Sequence, residues 1–249
     1  MIYIAGDTHA DFRRFTKKQR SKLPFELTEK DIVIICGDFG LLWSRNDKML
    51  EYNLDWMSRL PFKILWVAGN HENYDMIEKY HLEEWHGGMV RHILRDKIIY
   101  LERGQVFTLE GKKFFAFGGA SSHDVQGGIL DIDDPDYTEK RMAANKAGLP
   151  YRVKGISVGG EQELPTEEEM QEGMKNLEKV NYKVDYVMTH CLPSKMQDEL
   201  KKIFAVENSL HLYEEDVLTK YFDKLEEKLQ YKYWYCGHYH LNMDVGGET

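Results

Sequence analysis

Cysteine is scarce: three residues in 249, at 36, 191 and 236, with no Cys-x-x-Cys pair among them. That spacing excludes a secreted disulfide framework and a thiolate zinc finger. The expectation is buried, reduced thiols in a cytoplasmic protein. Long apolar runs are missing too. Nothing reaches the length needed to span a bilayer, the first residues already read as a strand, and no signal peptide is expected. Basic residues are outnumbered, with 33 Lys and Arg against 42 Asp and Glu, a formal net charge of −9. A globally acidic surface disfavours nucleic acid as a partner, although a local basic patch is not excluded. Internal repeats, low-complexity tracts and linkers are absent as well, so residues 1–249 read as one α/β domain with a sizeable core.

What is present is a series of short apolar runs that end in a small residue. Residues 1–6, 31–36 and 62–68 read as buried strands. Residues 10–20 and 47–59 read as the helices between them, the latter with Leu50, Leu54 and Met57 at helical spacing. That β-α-β-α-β order predicts neighbouring, largely parallel strands. Residues 72–97 read as loop-rich. Short strands follow at 98–101, 105–109 and 112–118, with a turn at Glu110-Gly111. Residues 119–163 show no clean period and read as an irregular insertion. Thr166 and Glu169 form a capping-box pattern ahead of a helix over 167–179, with Met170, Met174 and Leu177 inward. Strands at 184–189 and 231–236 flank a periodic helix over 213–229, with Val217, Leu218, Tyr221, Phe222, Leu225 and Leu229 inward.

Five of these strand ends carry metal-competent side chains. They read Asp7-Thr8-His9, Gly37-Asp38, Gly69-Asn70-His71-Glu72, Thr189-His190 and Gly237-His238-Tyr239-His240. Carboxyl ends of buried strands are where open α/β sheets place their sites. The ligand set Asp7, His9, Asp38, Asn70, His190, His238 and His240 contains oxygen and nitrogen donors and no sulfur. It suits two divalent ions, Mn²⁺ first, with Fe and Zn²⁺ as alternatives. With Asp38 shared, each ion receives four ligands. Two such ions, roughly 3.5–4 Å apart, hold a hydroxide and clamp a phosphoryl group for in-line attack.

In order and spacing, these five blocks resemble the signature of the calcineurin-like metallophosphoesterase superfamily, across residues 7 to 240. The resemblance implies a four-layer αββα sandwich with two mixed β-sheets and a dinuclear metal site at strand ends. It implies one ion on Asp7, His9, Asp38 and His240 and another on Asp38, Asn70, His190 and His238. His71 would be the catalytic residue, protonating the leaving-group oxygen or stabilising the transition state. The substrate would be a small phosphate mono- or diester or a nucleotide. The alternatives are a nuclease or end-processing enzyme with the same centre, and a non-catalytic scaffold of the same fold. The protein phosphatases of the superfamily continue Gly-Asp-x-x-Asp-Arg-Gly, whereas Asp38 is followed by Phe39-Gly40-Leu41-Leu42-Trp43. The aspartate that orients the histidine and the arginine that grips phosphate are therefore missing at those positions. Glu72 or a backbone carbonyl is left to orient His71. The Gly-Asp-Phe-Gly block and Phe117-Gly118-Gly119-Ala120-Ser121-Ser122 are similar to a bacterial and phage branch of small phosphoesterases.

Arg45 is a candidate phosphate contact and His123 a candidate wall of the substrate pocket. Asp131, Asp133, Asp134 and Asp136 imitate a calcium loop but lack its Gly and closing Glu, so a solvated acidic loop is expected. The basic run Arg13, Arg14, Lys17, Lys18, Arg20 and Lys22 reads as a solvated helix face, the alternative being a patch that guides phosphate. The chain ends nine residues after His240, before the strands that normally complete the family's second sheet. Either the 119–163 insertion closes that sheet's edge or the edge is exposed, and an exposed edge would favour a homodimer.

Overall fold

A computed structural model describes residues 1–43, 47–122, 126–154, 161–204 and 215–244, without the side chains of 47, 203 and 204. Arg45 and His123 lie outside the described residues. The first half of the chain holds β1 (Ile2–Ala5), α1 (Lys17–Arg20), β2 (Ile32–Cys36), α2 (Asp47–Ser58), β3 (Lys63–Val67), α3 (Tyr74–Ile77), β4 (Leu82–Trp85), β5 (Gly88–Leu94) and β6 (Ile98–Leu101). The second holds β7 (Gln105–Leu109), β8 (Lys112–Phe117), β9 (Ile129–Leu130), α4 (Tyr137–Ala147), β10 (Arg152–Val153), α5 (Glu167–Lys179), β11 (Tyr186–Thr189), α6 (Ser194–Phe204), α7 (Val217–Glu226) and β12 (Tyr233–Tyr235).

Two mixed sheets result. One is six-stranded in the order β1-β2-β3-β6-β5-β4, the other four-stranded in the order β12-β11-β8-β7. β1, β2, β3 and β6 run parallel, as do β8, β11 and β12, while β4, β5 and β7 are antiparallel to their neighbours. Side chains alternate across a strand, and the core divides accordingly. Ile34, Leu65, Val67, Phe107, Phe114, Ala116 and Met188 meet between the sheets. Val33, Ile35, Ile64 and Trp66 turn outward onto Met57 of α2 and Tyr74 and Ile77 of α3. Phe115, Phe117 and Val187 turn outward onto Met170 and Leu177 of α5 and Leu218, Phe222 and Leu225 of α7. Three apolar layers between four layers of secondary structure make the expected αββα sandwich. Each fully buried large side chain contributes on the order of 2 kcal/mol of transfer free energy.

Several local expectations need correction. Residues 10–20 are not one helix: a 3₁₀ turn over Phe12–Phe15, capped by Asp11, stops at Thr16, whose extended backbone starts α1. Residues 72–97 are not mainly loop. β4 and β5 form a hairpin whose corner, His86-Gly87, takes the paired positive φ of a type I′ turn. The 119–163 stretch contains α4, which has no apolar stripe because Ala144 is its only buried residue; Gly148, at φ +65°, closes it. α6 was also without a sequence expectation. α7 is shorter than 213–229, starting at an Asp216 capping box, and Val217 at its first turn is 44% exposed instead of inward. The Thr166–Glu169 capping box is formed as expected.

Candidate metal centre

Parallel register brings the carboxyl ends of β1, β2 and β3 to one edge of the first sheet and those of β11 and β12 to the matching edge of the second. Asp7, His9, Asp38, Asn70, His190, His238 and His240 all follow these ends. Two glycines allow the approach. A Cβ on Gly69 would lie 2.1 Å from Asp38 Oδ1, and one on Gly237 would lie 2.0 Å from Asp7 Oδ1. The backbone is strained where the donors sit: His9, Asp38, His238 and His240 have φ of 44°, 49°, 68° and 52°. Left-handed conformations cost non-glycine residues on the order of 1 kcal/mol each and collect at functional sites.

The donors form an outer and an inner group. In the outer one, His9 Nε2 and His240 Nε2 are 2.9 Å apart, and Asp7 Oδ2 stands 3.4 Å from the first and 3.1 Å from the second. His240 is solvent-exposed, with 64% of its side chain accessible. In the inner group, His190 Nε2 is 3.1 Å from Asn70 Oδ1 and 3.4 Å from Asp38 Oδ2. Asp38, Asn70 and His190 are all buried. Asp7 lies between the groups, with Oδ1 at 3.9 Å from His190 Nδ1. His238 packs its ring against His190 at 4.9 Å between centroids, and its backbone N–H donates to Asp7.

The donor chemistry fits divalent ions. His190 Nδ1 lies 2.7 Å from the Cys36 carbonyl and is therefore the protonated nitrogen. In the neutral ring Nε2 is then a lone pair turned toward two oxygen acceptors, an arrangement that a cation satisfies. Electrostatics agree. Burial opposes charge on His190, yet the Asp38 and Asp7 carboxylates outweigh it and lift its pKa to about 9. Burial likewise opposes charge on Asp38, but His190 and the His71 backbone N–H hold it well below the ordinary carboxylate value. A pocket that draws a proton onto a fully buried imidazole carries an excess of negative potential.

Around the donors stands a supporting shell. Asn70 Nδ2 donates to Ser122 Oγ at 3.1 Å, which donates in turn to Glu163 Oε2 at 2.7 Å. Glu72 is buried and accepts from the Phe39 N–H at 2.7 Å, and burial pushes its carboxyl well above the ordinary value. At His71 Nδ1 stands Arg152 Nη2, 3.4 Å away. The His71 ring also lies 5.6 Å from that of His9 and 6.1 Å from that of Trp43. Arg14, in the basic run, donates to the Asp7 and Gly6 carbonyls and Arg13 to Asp11, so both serve the β1 turn. Sequence reasoning missed Arg152 and Glu163, because both sit in the 119–163 stretch, where no period or motif marks them. Arg103, almost fully enclosed, holds that stretch down by donating to the carbonyls of Gln162 and Glu163 and to Tyr74 Oη, which itself donates to Gly69 O.

A two-sheet sandwich with oxygen and imidazole donors crowded at one seam is an αββα fold with a candidate metal centre at its strand ends. The calcineurin-like phosphoesterase family profile matches residues 1–242, and the chain belongs to that family. No curated protein matches it. The family is one of metal-dependent phosphoester hydrolases. No helix among the described residues is long and apolar enough to cross a membrane.

Proposed function

We propose that this chain hydrolyses a phosphate mono- or diester, a small ester or a nucleotide, with two divalent ions, Mn²⁺ foremost. The observation that carries this reading is the convergence of Asp7, His9 and His240 beside Asp7, Asp38 and His190, with the ligand atoms of each trio within 4.8 Å of one another. Asp7, His9, Asp38 and His240 would hold one ion and Asp38, Asn70, His190 and His238 the other. Bound there, the ions would supply Lewis acidity toward water and the phosphoryl oxygens.

The chain's own residues do the rest. Asp7 and Asp38 set the charge of the pocket, Gly69 and Gly237 leave room for them, and Ser122 fixes the Asn70 amide. His71 lies beside the donors without joining either trio, where it can donate a proton or a hydrogen bond to the leaving-group oxygen. The nuclease alternative is favoured by one observation: Arg13, Arg14, Lys17, Lys18 and Lys22 are exposed just after His9. The homodimer belongs to the same reading, because β12 has a strand neighbour on one side only among the described residues; gel filtration showing monomer alone would remove it.

The test uses metal-stripped protein with Mn²⁺ restored, p-nitrophenyl phosphate and bis-p-nitrophenyl phosphate as paired substrates, and Asp38→Asn as control. Metal-dependent turnover lost in Asp38→Asn supports hydrolysis, and preference for the diester supports the nuclease branch. Two bound ions without turnover of either substrate would count against the enzyme reading and for the scaffold.

A further inference from the structure

Arg152 opens β10, which pairs in parallel with β9 across α4. Its backbone is held by Arg152 N–H to Gly128 O at 3.1 Å and Lys154 N–H to Leu130 O at 2.9 Å. From there the side chain reaches the turn after β3, where Nη2 stands 3.4 Å from His71 Nδ1.

A guanidinium has donors only and keeps its protons at every accessible pH. In this contact Nδ1 must therefore be the acceptor, and the ring's own proton belongs on Nε2. A carboxylate in the same place would select the opposite tautomer, with the proton on Nδ1. We propose that Arg152 is a positioning residue that fixes neutral His71 as the Nε2–H tautomer, so that Nε2–H faces the leaving-group oxygen as a hydrogen-bond donor and the ring keeps its proton. This rests on the hydrolytic reading above and adds Arg152 to the partners that orient His71. It also gives the 119–163 stretch a role: one part, with Arg152, sets the histidine, and another, with Ser122 and Glu163, sets Asn70.

The experiment is ¹⁵N NMR of histidine-labelled, Zn²⁺-loaded protein, with His71 assigned by its loss in His71→Gln. It is paired with kinetics on bis-p-nitrophenyl phosphate. The wild type is expected to show His71 protonated at Nε2 with a bare Nδ1. Arg152→Met should mix the tautomers and lower kcat by roughly 10–100-fold, the order attached to a misplaced hydrogen-bond donor, with KM unchanged. Arg152→Lys, which keeps a donor, should retain the tautomer. A wild-type His71 protonated at Nδ1 would overturn the proposal. So would Arg152→Met raising KM with tautomer and kcat intact, the signature of a phosphate grip. The NMR result is read without substrate, so it stands or falls separately from turnover.

Discussion

Glu163 receives Ser122 twice, from its hydroxyl at 2.7 Å and from its backbone N–H at 2.8 Å. With its proton committed to Glu163, the Ser122 oxygen can only accept from Asn70, so the Asn70 NH₂ faces Ser122 and its carbonyl oxygen faces His190. A flipped amide would set its carbonyl oxygen against the Ser122 oxygen with no proton between them. Ser122→Ala should weaken Mn²⁺ binding by about 10-fold or more, the effect of removing an outer partner of a ligand. Titration calorimetry on the metal-stripped protein measures this, and an unchanged affinity would mean that Asn70 needs no such support.

Gly237 leaves less room than any ordinary side chain needs. Its missing Cβ would sit 2.0 Å from Asp7 Oδ1 and 2.4 Å from Cys36 O, whereas one on Gly6 would have nothing within 4 Å. Gly237→Ala should destabilise the fold by about 1–3 kcal/mol, as overpacking does, and displace Asp7 enough to weaken metal binding. Gly6→Ala should do neither. Urea denaturation of the pair, with and without Mn²⁺, provides the comparison.

Asp185 joins three strands of the second sheet at their amino ends. Its carboxylate accepts from Lys232 Nζ at 2.8 Å and from the Lys113 N–H at 3.0 Å. The Lys232 hydrogen bond, then that of Lys113, holds its pKa below the ordinary 3.8. A carboxyl depressed in the folded state contributes stability above its unfolded pKa and loses it as pH falls through the folded one. Asp185→Asn should therefore be less stable than wild type near neutrality, and the gap should close on acidification below about pH 4. A gap that stays constant into strong acid would show that the charge contributes nothing.

Phe222 is fully buried and contacts the rings of Phe117 and Trp234, at 5.6 and 5.5 Å between centroids. It ties α7 to the face of the sheet that carries His190. Phe222→Ala should cost about 3–5 kcal/mol, seen as a lower denaturation midpoint with an unchanged slope.

Much of this arrangement could be read from residue order. The runs ending at Cys36 and Val67 are continuous because these strands are buried on both faces, and each stops at a glycine that precedes a donor. Helices with a clear apolar stripe, α5 above all, were visible for the same reason. α4 was not, because an exposed helix needs no stripe and leaves only propensity and the Gly148 cap as signals. The β4–β5 hairpin was obscured by an edge strand half open to solvent. Arg152 and Glu163 were invisible for a different reason: their importance comes from a long-range approach to His71 and Ser122, and no local pattern encodes it.

The division of the core has a consequence for synthesis. β1 to β6 occupy residues 2–101 and β7 to β12 the remainder, so the first sheet leaves the ribosome whole before any strand of the second. Asp7, Asp38 and Asn70 emerge with the first sheet, while His190, His238 and His240 come later, the last two almost at the end of the described chain. The nascent first sheet thus carries carboxylates and an amide but only His9 as a trio imidazole, too few donors for either group. On the proposed ligand assignment, ion capture would wait for the second sheet to close over the first, and would so report that the whole sandwich has been assembled.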